Sequence, residues 1–242
     1  MSAAALTWEQ FRFERKLFWR NPTAAFFNFV LPLLLLFLIA TAFSSEGDEL
    51  DTLIPGVAGM SVMATTFTAL AYVLVYRREE GILKRVRGTP MPAASYLGGM
   101  IGSAVLNALV QILLVIGIGH VVYGVDWPAD WLLVGGFSLL GVVCFGSLGI
   151  AFAHAIPNVD SGPAWVNAVF LPLIFISGVF YSSDDLPGAL KAVAESLPLK
   201  HLIDGLSAGI VGGGEDTVVA AAVVGGWTVV GLLLAVRYFR WS

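Results

Sequence analysis

The residues able to do chemistry in this chain are few, and most of them sit in one stretch, Tyr76 to Pro92, reading YRREEGILKRVRGTPMP. Five of the thirteen Lys and Arg residues lie there (Arg77, Arg78, Lys84, Arg85 and Arg87), beside Glu79 and Glu80. Elsewhere the usual reactive groupings are missing. His120, His154 and His201 have no companions at metal-ligand spacing, and Cys144 is the single cysteine, so neither a metal cluster nor a disulfide framework is expected. His154 and Asp160 share a loop but stand six residues apart with Pro157 between them. Ser147 follows Phe145-Gly146 and misses the Gly-x-Ser-x-Gly elbow of hydrolases. No glycine-rich loop ends in Gly-Lys-Ser/Thr, and Gly212-Gly213-Gly214-Glu215 is not followed by Lys, so the chain has no phosphate cradle. What remains for the charged stretch is recognition, by charge pairing and by apolar contact.

The element that must carry those charges is a short helix. Ile82, Leu83 and Val86 fall on one side, and Glu80 precedes Lys84 by four residues, the favourable order for a helical ion pair. Gly88 is expected to accept a left-handed cap, and Thr89-Pro90 to end the helix. A two-turn amphipathic helix from Arg78 to Arg87 is the expectation, held across the end of a helical hairpin. It is suited to inserting Ile82, Leu83 and Val86 into a partner's groove while its charges set register. Positive anchoring of a membrane hairpin is the plainer reading, but it requires neither the two glutamates nor the apolar side.

Composition sets the surroundings. With 57% hydrophobic and 12% charged residues, the chain departs from ordinary soluble domains, which are nearer about 45–50% apolar, and reads as an integral membrane protein. The fold class expected is all-α and polytopic. The whole of 1–242 forms one transmembrane domain with spans at 24–43, 55–75, 94–122, 131–153, 163–181 and 218–236. A helix over 1–22 lies in the membrane interface, apolar on two sides with Trp8 and Trp19 at headgroup depth. The charged loop is 76–92, and 182–216 forms two short outer helices separated by Leu197-Pro198-Leu199, the second dipping back into the bilayer. The run 24–43 is longer than a signal-peptide core and is expected to be retained. With the amino terminus inside, eleven of the thirteen basic residues fall on the cytoplasmic side, leaving Lys191 and Lys200 outside. Both termini are then cytoplasmic. In the third span Ser95, Gly99, Ser103, Asn107 and Gln111 recur every four residues, a stripe for close helix packing in which Asn107 and Gln111 are also candidates for a substrate path. None of the six spans has an Asp, Glu, Lys or Arg in its middle, which argues against ion coupling and for an external engine.

Two motifs carry a family resemblance. Arg78-Glu79-Glu80-Gly81-Ile82-Leu83-Lys84-Arg85 followed by Thr89-Pro90 resembles the cytoplasmic signature of ABC-2 type permeases, the membrane subunits of one class of ATP-binding-cassette exporter. Leu171-Pro172 through Ser177-Gly178-Val179-Phe180, then Leu186-Pro187 and Leu197-Pro198-Leu199, is similar to that family's second signature. The resemblance, which extends to daunorubicin-resistance-type permeases, covers essentially the whole chain. It implies a transport subunit rather than an enzyme, in the plasma membrane of a prokaryote, paired with a second permease copy, the same or homologous, and surrounded by lipid. ATP and Mg belong to a separate cytoplasmic ATPase, with no cofactor on this chain and no nucleic-acid partner. Coupling to the ATPase falls to Arg78, Glu79, Gly81, Ile82, Leu83, Arg85 and Val86, of which Glu79, Gly81 and Arg85 occupy signature positions. Candidates for the substrate path or the contact between copies are Thr65, Asn107, Gln111, Asn167 and Phe170. The cargo expected is an amphipathic drug, antibiotic or lipid-like molecule. Export of polysaccharide or glycolipid precursors by the same architecture stays open, as does an ATP-independent carrier or channel.

Overall fold

The computed structural model describes residues 2–43, 48–181, 187–213 and 216–238, and among these the chain is helical with no strand. The helices are α1 (Ala3–Trp19), α2 (Pro22–Phe43), α3 (Asp48–Met63), α4 (Ala69–Glu79), α5 (Ile82–Arg87), α6 (Ala93–Tyr123), α7 (Trp131–Phe152), α8 (Gly162–Ile176), α9 (Gly188–Ala194), α10 (Pro198–Ile210) and α11 (Thr217–Tyr238). Between α3 and α4 the chain continues without a break through a π-helical turn, Ala64–Thr68. Among the described residues, four helical stretches are long and apolar enough to cross a membrane: Leu50–Glu79, Ala93–Tyr123, Trp131–Phe152 and Thr217–Tyr238. Two shorter apolar helices, Ala25–Thr41 and Gly162–Ile176, accompany them.

Their ends follow local chemistry. Asp130 caps α7 by accepting from the amides of Leu132 and Leu133 at 2.8 and 3.1 Å, satisfying donors that the first turn leaves free. The stretch expected to cross from 163 to 181 stops at Ile176. Ser177 donates its amide back to Leu173, and Gly178 turns the chain at φ 73°, a conformation that favours glycine. The π turn is rich in hydroxyls that return to their own backbone, Thr65 to Ser61 and Val62 and Thr66 to Val62. A widened turn leaves carbonyls poorly paired along the axis, and these hydroxyls supply the missing donors.

Small residues set how closely the helices approach. α1 runs alongside α6 in the same direction: the Ser95 hydroxyl donates to the Ala3 carbonyl at 3.1 Å, and Gly99 lies under Gln10. A Cβ at Gly99 would stand 2.6 Å from the Gln10 side chain, so only glycine permits this seating. α10 runs antiparallel to α7, with Leu202 against Gly141 and Gly209 against Val134, and the two are tied end to end by the Asp130 amide donating to Gly209 at 2.9 Å. Leu202 therefore reaches a level about 15 Å along α7, at 1.5 Å per residue. The turn at Leu197-Pro198 is buried deeper still, and the Trp227 indole N–H of α11 reaches the Ser196 carbonyl beside it at 2.9 Å. α9 and α10 thus form a hairpin whose turn is buried within the bundle. Residues 182–186, including Leu186 of the second motif, lie outside the described residues.

Candidate functional site at the hinged end of the bundle

The charged stretch lies where α4, α5 and α6 meet, and its residues divide into three layers. Arg77 is the innermost. Its two terminal nitrogens donate to both carboxylate oxygens of Glu14 at 2.6 and 2.7 Å, and one of them also donates to the Tyr96 hydroxyl at 2.8 Å. Gln10 donates to the same carboxylate at 2.6 Å. The two charged side chains are only 6% and 11% exposed, so the fork-to-fork geometry offsets the cost of removing both ions from water. One arginine thereby joins α4 to α1 and α6. Sequence reasoning missed this pair; an acid at position 14 among the α1 cations was the available signal.

Arg78 and Glu79 form the second layer, and both bind the connection between α7 and α8. The Arg78 guanidinium donates to the carbonyls of Ala153, Ile156 and Pro157 at 3.2, 2.6 and 3.2 Å. Ala153 is the C-cap of α7, where a cation is favoured by the helix dipole, and Ile156 and Pro157 belong to the loop that follows. Glu79 accepts from the Val159 amide at 3.1 Å. Two residues expected to face a partner are thus engaged within the chain, holding a second loop in place.

The third layer is α5 itself, and it differs from expectation in three ways. α4 stays helical through Glu79, Gly81 takes φ 67°, and α5 begins only at Ile82, so no single helix spans Arg78 to Arg87. The left-handed glycine is Gly81, whereas Gly88 is right-handed. Glu80 accordingly lies outside the helix that carries Lys84, and their spacing of four no longer places them on one helical face. Leu83 is 3% exposed and Val86 packs against the core, because the sharp turn at Gly81 folds the apolar side of α5 back onto its own bundle. Leu83 and Val86 thus face their own bundle, Ile82 stays partly exposed, and Lys84, Arg85, Arg87 and Gly88 are exposed. A Cβ at Gly81 would meet nothing within 4 Å, so glycine is needed there for its backbone and not for space.

The five path candidates are not brought together. Asn107 accepts from Arg15 of α1, and burial draws that guanidinium down from the usual arginine range. Gln111 is fully buried and donates to the Phe29 carbonyl of α2 at 3.3 Å, while its carbonyl oxygen has no hydrogen-bond partner. Asn107 thus bonds α6 to α1 and Gln111 bonds it to α2. Thr65 is buried in the π turn, Phe170 packs partly against the core, and Asn167 is exposed on α8 beside the exposed Trp165 and Leu171.

A buried ionic group was not anticipated on the returning hairpin. Lys200 donates to Asp204 at 2.7 Å, His201 Nδ1 lies 3.6 Å from the same carboxylate, and His201 Nε2 donates to the Glu195 carbonyl at 2.8 Å. Expected near an outer boundary, Lys200 and His201 are 6% and 8% exposed, next to Leu202 at the level of mid-α7. The lysine and the acid four residues later were the legible signal.

An all-helical bundle of long apolar helices, with a hinged cationic helix at one end and a helical hairpin returning into the other, defines a multi-pass membrane protein. Residues 4–211 match the family described as ABC-2 type transporter, and the chain belongs to it. Among its relatives are the daunorubicin resistance ABC transporter permease protein DrrB1 of Streptomyces coeruleorubidus, 27% identical over 71% of this chain and 63% of that one. The linearmycin resistance permease protein LnrN of Bacillus subtilis (strain 168) is 24% identical over 71% of this chain and 45% of its own length. The inner membrane transport permease YadH of Escherichia coli (strain K12) is 24% identical over 66% and 62%. The chain spans about half to three-fifths of the length of these relatives.

Proposed function

We propose that this chain is the permease subunit of an ATP-driven exporter, that it docks a separate cytoplasmic ATPase through α5, and that it pairs with a second permease. The six-span topology with both termini cytoplasmic follows the distribution of basic residues, and it places α5 on the side where ATP is found. ATP and Mg²⁺ are assigned to the ATPase. The observation that carries the reading is the wiring of α5: Lys84, Arg85 and Arg87 point outward, while the residues just before the Gly81 hinge are bonded to α1, α6 and the α7–α8 loop. An ATPase that pushes on this cationic face moves four elements together. The exposed side of α8, with Trp165, Asn167, Leu171 and Phe175, is assigned to the second permease copy and the substrate path. Relatives named for daunorubicin and linearmycin resistance favour an amphipathic antibiotic or a similar lipid-like molecule as cargo.

The test is charge reversal of the outward face, Lys84→Glu with Arg85→Glu and Arg87→Glu. Expected are loss of the ATPase on co-purification and loss of substrate-stimulated ATP hydrolysis, with the permease still folded. Unchanged co-purification and hydrolysis would overturn the assignment of α5.

A further inference from the structure

α8 and α11 stand apart. α8 packs on α4, α9 and the π turn, α11 packs on α7 and α10, and the gap between them is a cavity of about 380 Å³. Its floor is Phe67 of the π turn with Phe145 and Phe152 of α7, where Gly149 allows the two elements to touch: a Cβ there would stand 2.6 Å from the Phe67 carbonyl. Its size falls within the about 300–1,000 Å³ of small-molecule sites, but its described lining is apolar apart from the Trp227 N–H, which is bonded to the Ser196 carbonyl, and the Tyr238 hydroxyl at one end.

The shape matters as much as the lining. One end is bounded by Ala155 and Tyr238, at the α5 end of the bundle, and the other by Leu197 and Pro198 at the buried turn of the hairpin. From Trp227 to Tyr238, both of which line it, α11 rises about 16 Å at 1.5 Å per residue. That is half of the roughly 30 Å hydrocarbon thickness, so the slot is one leaflet deep. Val169 and Leu173 form one lip and the half-exposed Leu234 and Tyr238 the other, and the slot opens sideways between α8 and α11.

We infer that this slot is a binding site for one acyl chain of a phospholipid from the leaflet on the α5 side, with the headgroup at the Tyr238 end. A chain already in lipid gains nothing by leaving water. What favours its entry is contact with an aromatic lining whose atoms would otherwise face a void. The site goes beyond the transport reading and does not depend on it, because its test reads lipid occupancy: an exporter assay can fail while the site stands.

The experiment uses the full chain in vesicles of phosphatidylethanolamine and phosphatidylglycerol that carry a phospholipid with a photoactivatable diazirine in its acyl chain. Labelled positions are read by peptide mass spectrometry. Expected is label concentrated on Phe152, Val169 and Trp227, lost in Ala151→Phe, which fills the slot, and retained in Ala151→Ser. Val169→Phe fills the slot from its α8 lip, so misfolding of one variant does not remove the test. Label spread evenly over every lipid-facing helix, or unchanged in both filled variants, overturns the site. Protection by daunorubicin where a free fatty acid fails to protect assigns the slot to a compact drug and overturns the acyl chain.

Discussion

Replacing Arg77 with Met leaves the Glu14 carboxylate almost fully buried, facing Tyr96 and Gln10 with its counter-ion gone. Arg77 makes three donated hydrogen bonds at 2.6 to 2.8 Å, two of them to that carboxylate. Breaking one side of such a buried pair costs about 3–5 kcal/mol, because the remaining ion is left uncompensated. At about 2–4 °C per kcal/mol for a chain of this size, Arg77→Met should lower the melting temperature by roughly 6–20 °C. The double variant Glu14→Met with Arg77→Met removes both ions and should recover most of the loss, since apolar replacement of a whole buried pair is often neutral or stabilising. Thermal unfolding of the four proteins of the cycle in one detergent, followed by tryptophan fluorescence, reads the coupling directly. Additive single effects, or a single variant as stable as the parent, would refute the claim that this pair binds α4 to α1.

Other expectations follow from the same geometry. Gly81→Ala forces a side chain into left-handed backbone with no steric clash, so it should cost about 1–2 kcal/mol of stability in thermal unfolding, with Gly81→Asn costing less. Gly99→Ala drives a Cβ to 2.6 Å from Gln10 and should cost about 1–3 kcal/mol as overpacking; a cysteine pair at Ala3 and Ser95 should then crosslink less readily. Arg78→Gln removes the charged donor from three carbonyls, and hydrogen exchange over residues 153–161 should rise while exchange in the middle of α7 stays unchanged.

How far these features could be read beforehand depended on what sets them. The long apolar helices were legible because hydropathy over twenty residues depends on little else, and α6, α7 and α11 begin and end within about two residues of where the pattern places them. The π turn was not legible. Thr65 and Thr66 favour it locally, but close approach by Gly149, eighty residues on, accompanies it. At the site, the charged loop was visible as composition, yet its hinge was not: the left-handed glycine was expected at Gly88 and is Gly81. Gly81 takes that role where Arg78 and Glu79 are held by the α7–α8 loop, contacts some eighty residues distant in sequence. With the chain turned at Gly81, Leu83 and Val86 face the bundle, which a helix wheel drawn without that turn does not show. Ser177-Gly178 stood inside an expected span because an apolar run conceals a turn unless the glycine's backbone is known.

The central claim is that α5 is the surface on which an ATPase bears. A photocrosslinking amino acid at Arg85, in membranes containing the assembled complex, tests it most directly. Expected is a covalent adduct with an ABC ATPase whose yield changes when ATP is added, while the same probe at the buried Leu83 gives none. An Arg85 probe that captures only lipid, or an equal ATPase adduct from Leu83, would contradict it.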